Sequence, residues 1–320
     1  MHLLILFAFA SSEGCAPVLS TLPLPHLQKL LARLTPEALD AGDEFSLSPP
    51  HERALARAQG LAAPDGLIPW AASEAAQNPA LNSHGAWAFI TPCHWQVGTN
   101  HIAMSGQALP DFTAQESQGL LAAMKPYFEE DGIALHYVSP NHWLACSEVF
   151  RDLPTASLDR VVGRHVDSWM PRSPAAAPLR RLQNEMQMLL YTHPVNDARE
   201  ARRVLPVNSF WLSGTGALNP QPPASASSAT TPPPPALSVA RTLREAALND
   251  DWAAWATAWQ ELDATEGAAL LAALERGESV QLTLCGERHA QTFTAQPQTL
   301  VKRFMNLFGT QPAATLLKQL

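Results

Sequence analysis

Charge is scarce in this chain: of its 320 residues only 16% are Asp, Glu, Lys or Arg, and the net balance is −8. A net acidic chain argues against nucleic acid as its main partner, because a phosphate backbone demands clustered cations. Cysteine is scarcer still. Cys15, Cys93, Cys146 and Cys285 lie far apart and form no Cys-x-x-Cys pair, which argues against a zinc ribbon or a disulfide scaffold and points to reduced thiols in a cytoplasmic protein. No stretch approaches the ~18 apolar residues of a membrane span. The apolar residues 3–10 have no Lys or Arg ahead of them, and Glu13 sits badly in a lipoprotein cleavage site, so they read as a buried first strand rather than a signal peptide. There is no aspartate before Asp40 and no internal repeat.

What is present suffices for a large core, since 46% of residues are hydrophobic. A strand at 3–10, a Ser-Ser-Glu-Gly turn and a helix at 25–33 open an α/β fold. Pro49-Pro50 suits the first turn of a second helix over 52–60, with Ser48 as its N-cap and Gly60 as its stop. From 87 to 149 the pattern changes to strands at 88–91, 95–103 and 133–138, with a helix at 112–128, as in an α+β domain. Residues 219–238 are rich in Pro, Ser and Ala and cannot bury enough apolar surface to offset ordering, so they read as a flexible linker or loop. Beyond them 240–274 is helical in pattern, and 280–284 and 291–294 read as strands.

The richest stretch is 182–216. Leu182, Met186, Leu189 and Leu190 recur at helical spacing, and Pro194 reads as the end of that helix. Val207, Phe210, Trp211 and Leu212 read as a short buried strand that ends at Gly214 and Gly216, which permit close approach of another group. His193, Asn196, Arg199 and Asn208, with Arg160 and Arg164 from the segment 159–167, supply polar side chains for a phosphate or carboxylate pocket. Ion pairs at a solvated helix end explain the two arginines of 159–167 as well. Cys93, His94, His101 and the pair His142 and Cys146, taken as one face of a helix, are the residue types of a zinc site, although Trp95 and Trp143 beside them suggest packing. Trp252, Trp255 and Trp259 form an apolar stripe with Leu262 that is either core or a partner surface.

His193-Pro194-Val195-Asn196, Arg199, Pro206, Asn208, Gly214 and Gly216 together resemble a segment of the archaeal-type cofactor-independent phosphoglycerate mutases of the alkaline phosphatase superfamily, with Ser213 where that family carries arginine. Residues 1–5, 180–191 and 208–216 resemble bacterial proteins named as regulators of pathogenicity factors, type E. The resemblance implies an alkaline-phosphatase-like core sheet with helices on both faces, built from 1–85 and 207–320, and an inserted α+β domain at 86–206. It also implies two divalent metals on Asp and His ligands and a Ser or Thr nucleophile, a place that Ser48 would take. Here Glu13-Gly14 stands in place of an Asp-Gly pair, and Glu287-Arg288-His289 in place of an Asp-His pair. The expectation is a protein without metal or cofactor that keeps a regulatory or ligand-sensing role, for a small phosphorylated or carboxylate ligand or for a protein partner. The alternatives are a mutase or phosphatase with a rearranged metal site, and an interaction module using the Trp helix.

Overall fold

The computed structural model describes residues 1–81, 85–98, 102–105, 109, 111–218, 236–295 and 312–320, which fall into two compact units. The first unit takes Met1–Phe45, Pro49–Gly60 and the described part of 226–320; the second takes Ser46–Ser48 and the described part of 61–225. Elements are numbered along the whole chain.

The first unit is built on β1 (His2–Ile5), four residues buried on both faces. That is why Leu3, Leu4 and Ile5 run on as consecutive apolar residues rather than alternating with polar ones. β1 pairs in parallel with β9 (Leu237–Ala240) on one side and β10 (Gln281–Cys285) on the other. The antiparallel β11 (Ala290–Thr294) and β2 (Thr35–Pro36) complete the order β2-β11-β10-β1-β9. Leu3, Ile5, Leu282 and Leu284 pack with α1 (Cys15–Thr21), α2 (Pro25–Arg33), α10 (Trp252–Leu262), α11 (Ala268–Glu275) and α12 (Ala313–Leu317). Leu4 and Leu6 face the other way, onto Ala54 of α3 (Pro50–Ala58). The fold is therefore mixed α/β with helices on both faces of a central sheet.

A polar row crosses this sheet: His2 Nε2 lies 2.8 Å from the Thr283 hydroxyl, which lies 3.0 Å from that of Thr292. Burial, and then the neighbouring α-amino group, hold the His2 imidazole below its ordinary value of 6.5. His136 and His193 are depressed as well, burial again coming first. As pH falls below 6.5 the unfolded chain takes up these protons before the folded one does, so stability is lost across that window. Thermal melts should show a lower midpoint at pH 5 than at pH 7. His2→Gln should flatten that slope, and an unchanged slope would contradict the assignment.

The second unit has an antiparallel sheet of order β6-β7-β3-β8, from β3 (Ala86–Cys93), β6 (Ala134–Ser139), β7 (His142–Cys146) and β8 (Ser209–Ala217). One face is covered by α5 (Ala114–Glu130) and α7 (Ala177–Tyr191), through Leu120, Met124, Phe128, Leu182, Met186 and Leu190. On the other face α4 (Trp70–Ala76) lays Ala71, Ala72 and Ala75 on Trp87 and Leu144. A two-stranded hairpin of β4 (Trp95–Val97) and β5 (Ile102–Met104) takes the place of the single strand expected at 95–103.

The division of the chain differs from the expected boundaries at 86 and 207. β8 belongs to the second unit because it pairs along its length with β3, and α4 joins it there. The expected linker 219–238 is shortened at its end, since Leu237 and Ser238 pair with His2 and Leu3 in β9; 219–235 lie outside the described residues. No described helix is long and apolar enough to cross a membrane.

Candidate functional site

Open α/β sheets place their chemistry at the carboxyl ends of parallel strands, here the crest where β9, β1 and β10 end. β1 runs into Phe7, whose φ of 53° lies in the left-handed region that a side chain rarely adopts. Its ring rests against His51 of α3 with centroids 5.0 Å apart, and its carbonyl accepts the Trp255 indole N–H at 3.0 Å. The crest is thus packed by aromatic rings. Past β10, the Glu287 carboxylate accepts the Ser11 N–H at 2.8 Å, while Arg288 pairs with Glu44. His289 accepts the Gly42 N–H at its Nδ1, and the Arg288 and His289 N–H groups both donate to the Leu320 carbonyl. Asp251 caps α10 by accepting the Ala254 N–H.

A dimetal centre needs several convergent carboxylates and imidazoles with free lone pairs. Glu287 and Asp251 instead accept main-chain N–H groups, and Arg288, which stands between Glu287 and His289 in sequence, turns its cation to Glu44. These residues do not fit a pair of divalent ions. Among the described residues no group of three or more His, Cys, Asp or Glu side chains could hold a metal ion.

Ser48 belongs to the second unit. Its hydroxyl accepts the Gly66 N–H at 2.9 Å, and its own N–H donates to Asp65, so it clasps two loop segments together. The expected N-cap role falls to Pro49, because α3 begins at Pro50. The Ser48 side chain is buried.

The segment 190–208 is a second polar cluster, and its bonds point inward. His193 is the N-cap of α8 (Pro194–Ala201): its ring accepts the Val195 N–H, and Pro194 occupies the first turn, where a missing N–H costs nothing. So Pro194 starts a helix here, α7 having ended at Tyr191. Asn196, 4% exposed, donates both amide hydrogens, to the Leu190 and Val207 carbonyls at 2.8 and 2.7 Å, and accepts the Val207 N–H at 2.8 Å. Arg199, fully buried, donates to the Leu205 carbonyl, reaches Glu116 of α5 at 3.2 Å and lies 5.3 Å from the Phe112 ring centre. Burial pushes the Glu116 carboxyl up, but the Thr113 N–H and hydroxyl and the Arg199 and Arg202 guanidiniums outweigh it, leaving the group below its ordinary range. Asn208 pairs both ways with the Trp95 main chain, at 2.7 and 2.9 Å.

Gly214 and Gly216 lie on the far part of β8 with φ of 62° and 140°. A Cβ on Gly214 would stand 2.7 Å from the Phe89 ring, and one on Gly216 would stand 3.1 Å from the Leu67 carbonyl. The close approach expected of these glycines is to the protein's own side chains and backbone. Arg160 is buried on α6 (Leu158–Val161), and the Arg164 carbonyl accepts the Met104 N–H of β5. The expected pocket residues are therefore held by different neighbours. A cavity beside β8, lined by Met170, Leu179, Gln183, Phe210 and Leu212, encloses about 20 Å3, room for roughly one water.

The zinc-type residues separate too. His142 lies on a strand, not a helix, and its Nε2 is 2.9 Å from Glu74; His94 Nδ1 meets the Pro206 carbonyl; Cys93 is buried and its thiol is pushed far up by that burial. His101 lies outside the described residues.

No model of a known protein family matches this chain, and no curated protein matches it by sequence. Among solved structures it is similar to a cofactor-independent phosphoglycerate mutase from Thermoplasma acidophilum, at 12% identity and a TM-score of 0.36, over 100% of this chain and 99% of that one. It is also similar to the PH0037 protein from Pyrococcus horikoshii, at 11% identity and a TM-score of 0.41, over 93% of this chain and 88% of that one.

Proposed function

We propose that this chain is a binding and regulatory protein on a phosphoglycerate-mutase-like α/β frame, and that it does not transfer phosphoryl groups. The observation that carries the reading is the packed crest, with Phe7 against His51 and Trp255, and Glu287 tied to Ser11. Ser48 adds to it, because a nucleophile must present a free, activated oxygen and this hydroxyl is buried while accepting a main-chain N–H. Between a small anionic ligand and a protein partner, the inward bonds of Asn196, Arg199 and Asn208 favour the partner. The Trp helix is a poor surface for it: Trp255 and Trp259 are fully buried, and Trp252 packs edge-on to Trp255 at 5.9 Å. All four cysteines are unpaired thiols, which supports a cytoplasmic setting.

The test is interconversion of 2- and 3-phosphoglycerate with added manganese, on the full chain and on Ser48→Ala, with circular dichroism to verify folding. Neither protein should turn over substrate. Turnover by the wild type that disappears in a folded Ser48→Ala would establish the rearranged-enzyme alternative.

A further inference from the structure

We propose that the cavity beside β8 binds a small carboxylate whose short apolar chain ends in a hydroxyl. The cavity lies along β8, the last strand of its sheet, and opens to solvent on one side. Met170, Pro171 and Arg180 are half-buried and stand at its mouth. Leu179, Phe210, Trp211 and Leu212 are buried and make an apolar floor. Trp211 gives its indole N–H to the Ala156 carbonyl at 2.9 Å, so its ring adds no polar atom to that floor.

Two polar side chains in this apolar setting are only half used by the fold. Gln183 is 5% exposed, and its Nε2 donates to the Phe210 carbonyl at 2.8 Å. That bond fixes the amide, because the opposite orientation would set two acceptors face to face. Oε1 is thereby turned away from Phe210, and among the described residues no donor meets it. A buried carbonyl oxygen ordinarily has a partner. Here the open space beside the amide is the cavity that Gln183 lines. Arg180 is the second group. Its Nη1 donates to the Pro171 and Ser173 carbonyls at 2.8 and 3.3 Å, which pins the guanidinium at the mouth. Acidic residues outnumber Lys and Arg by 29 to 21, yet among the described residues none pairs with Arg180. Its Nε and Nη2 hydrogens remain for a carboxylate, which a guanidinium takes through two parallel bonds.

These two groups set the length of the ligand. Arg180 and Gln183 are three apart on α7, so their Cβ atoms stand about 5–6 Å apart on one helix face, the reach of a chain of about four carbons. The enclosed part of the cavity, about 20 Å3, admits one group of roughly a water's size. A hydroxyl fits there and supplies the donor that Oε1 lacks. A water held by one acceptor against apolar walls is poorly fixed and readily displaced. The carbon chain then lies on Met170, Pro171 and Leu179 in the open mouth, with the carboxylate on Arg180. A regulatory protein that acts on a partner can take its signal from such a ligand. The cavity shares no residue with the crest or with Asn196 and its partners, so the phosphoglycerate assay and the titration below succeed or fail separately.

Amide NMR titration of the full chain with γ-hydroxybutyrate tests this, beside butyrate, which lacks the donor, and 1,4-butanediol, which lacks the carboxylate. γ-Hydroxybutyrate should saturably shift the Gln183 side-chain amide and the main-chain amides of 170–183 and 210–212, with a dissociation constant on the order of 1 mM for so small a ligand. Butyrate and 1,4-butanediol should each bind at least about tenfold more weakly, a comparison made on the wild type that needs no variant to fold. Arg180→Gln, verified as folded by circular dichroism, should weaken γ-hydroxybutyrate at least about tenfold. No saturable shift up to about 50 mM would overturn the proposal. So would equal binding of the three compounds, or binding of γ-hydroxybutyrate that a folded Arg180→Gln leaves unchanged.

Discussion

Asn196→Leu is expected to destabilise the second unit by about 4 kcal/mol, because it leaves the Leu190 carbonyl and both the N–H and the carbonyl of Val207 buried without partners, at about 1–3 kcal/mol each. Leucine keeps the branched four-atom skeleton of asparagine, so the variant opens no cavity; the loss reads the missing hydrogen bonds together with some overpacking by the bulkier methyls. All three partners are main-chain groups separated in sequence by 6 or 11 residues. Only the folded hairpin of α7, α8 and β8 brings them to one point. Asn208→Ala is the contrasting case. It too removes a two-way bond, to Trp95, but Asn208 is only half-buried, so water can replace the amide and the cost should be nearer about 1 kcal/mol. Urea titrations of the two variants, with hydrogen exchange across 190–217, would show the ordering. If Asn196→Leu were as stable as the wild type, the clasp role would be wrong and a ligand role would regain its place.

The residues of this clasp were visible in the sequence, but their direction was not. The pattern His193 to Asn208 marks polar side chains in a mostly apolar segment, which a pocket and a structural clasp produce equally well. What separates them is which main-chain groups lie within 3 Å, and that depends on β8 meeting β3 across more than a hundred residues of chain. The same long-range pairing explains the misplaced boundary at 207, since local pattern gives a strand but not the sheet it joins. Local signals did better where local physics decides. α2 spans Pro25–Arg33 as expected, because Pro25 opens it and the Leu27, Leu30 and Leu31 spacing sustains it. Pro194 shows the limit of such signals: proline both ends one helix and starts another, and here the second meaning holds. His142 and Cys146 show another, since residues four apart share a face in a helix and in a strand alike, so spacing could not reveal that they lie on β7.

Trp255→Ala should destabilise the first unit by about 3–5 kcal/mol, the usual range for a fully buried large aromatic. Its indole stands edge-on between Trp252 and Trp259, with centroids 5.9 and 6.1 Å away at 76° and 85°, the geometry that ring quadrupoles favour. The same ring also holds the crest closed. Its N–H is bonded to the Phe7 carbonyl at the residue whose left-handed backbone turns the chain out of β1. Trp255→Phe separates the two contributions. It keeps most of the apolar contact and removes only the hydrogen bond, so it should cost about 1–2 kcal/mol while freeing the Phe7 turn. A bond that fixes that turn should show itself as faster hydrogen exchange at 7–12 in Trp255→Phe, with β10 unchanged. Equal exchange in both regions would mean that packing alone keeps Phe7 against His51. The packed crest would then owe nothing to the indole N–H, and the case against catalysis would rest on the Phe7–His51 contact and the Glu287–Ser11 bond.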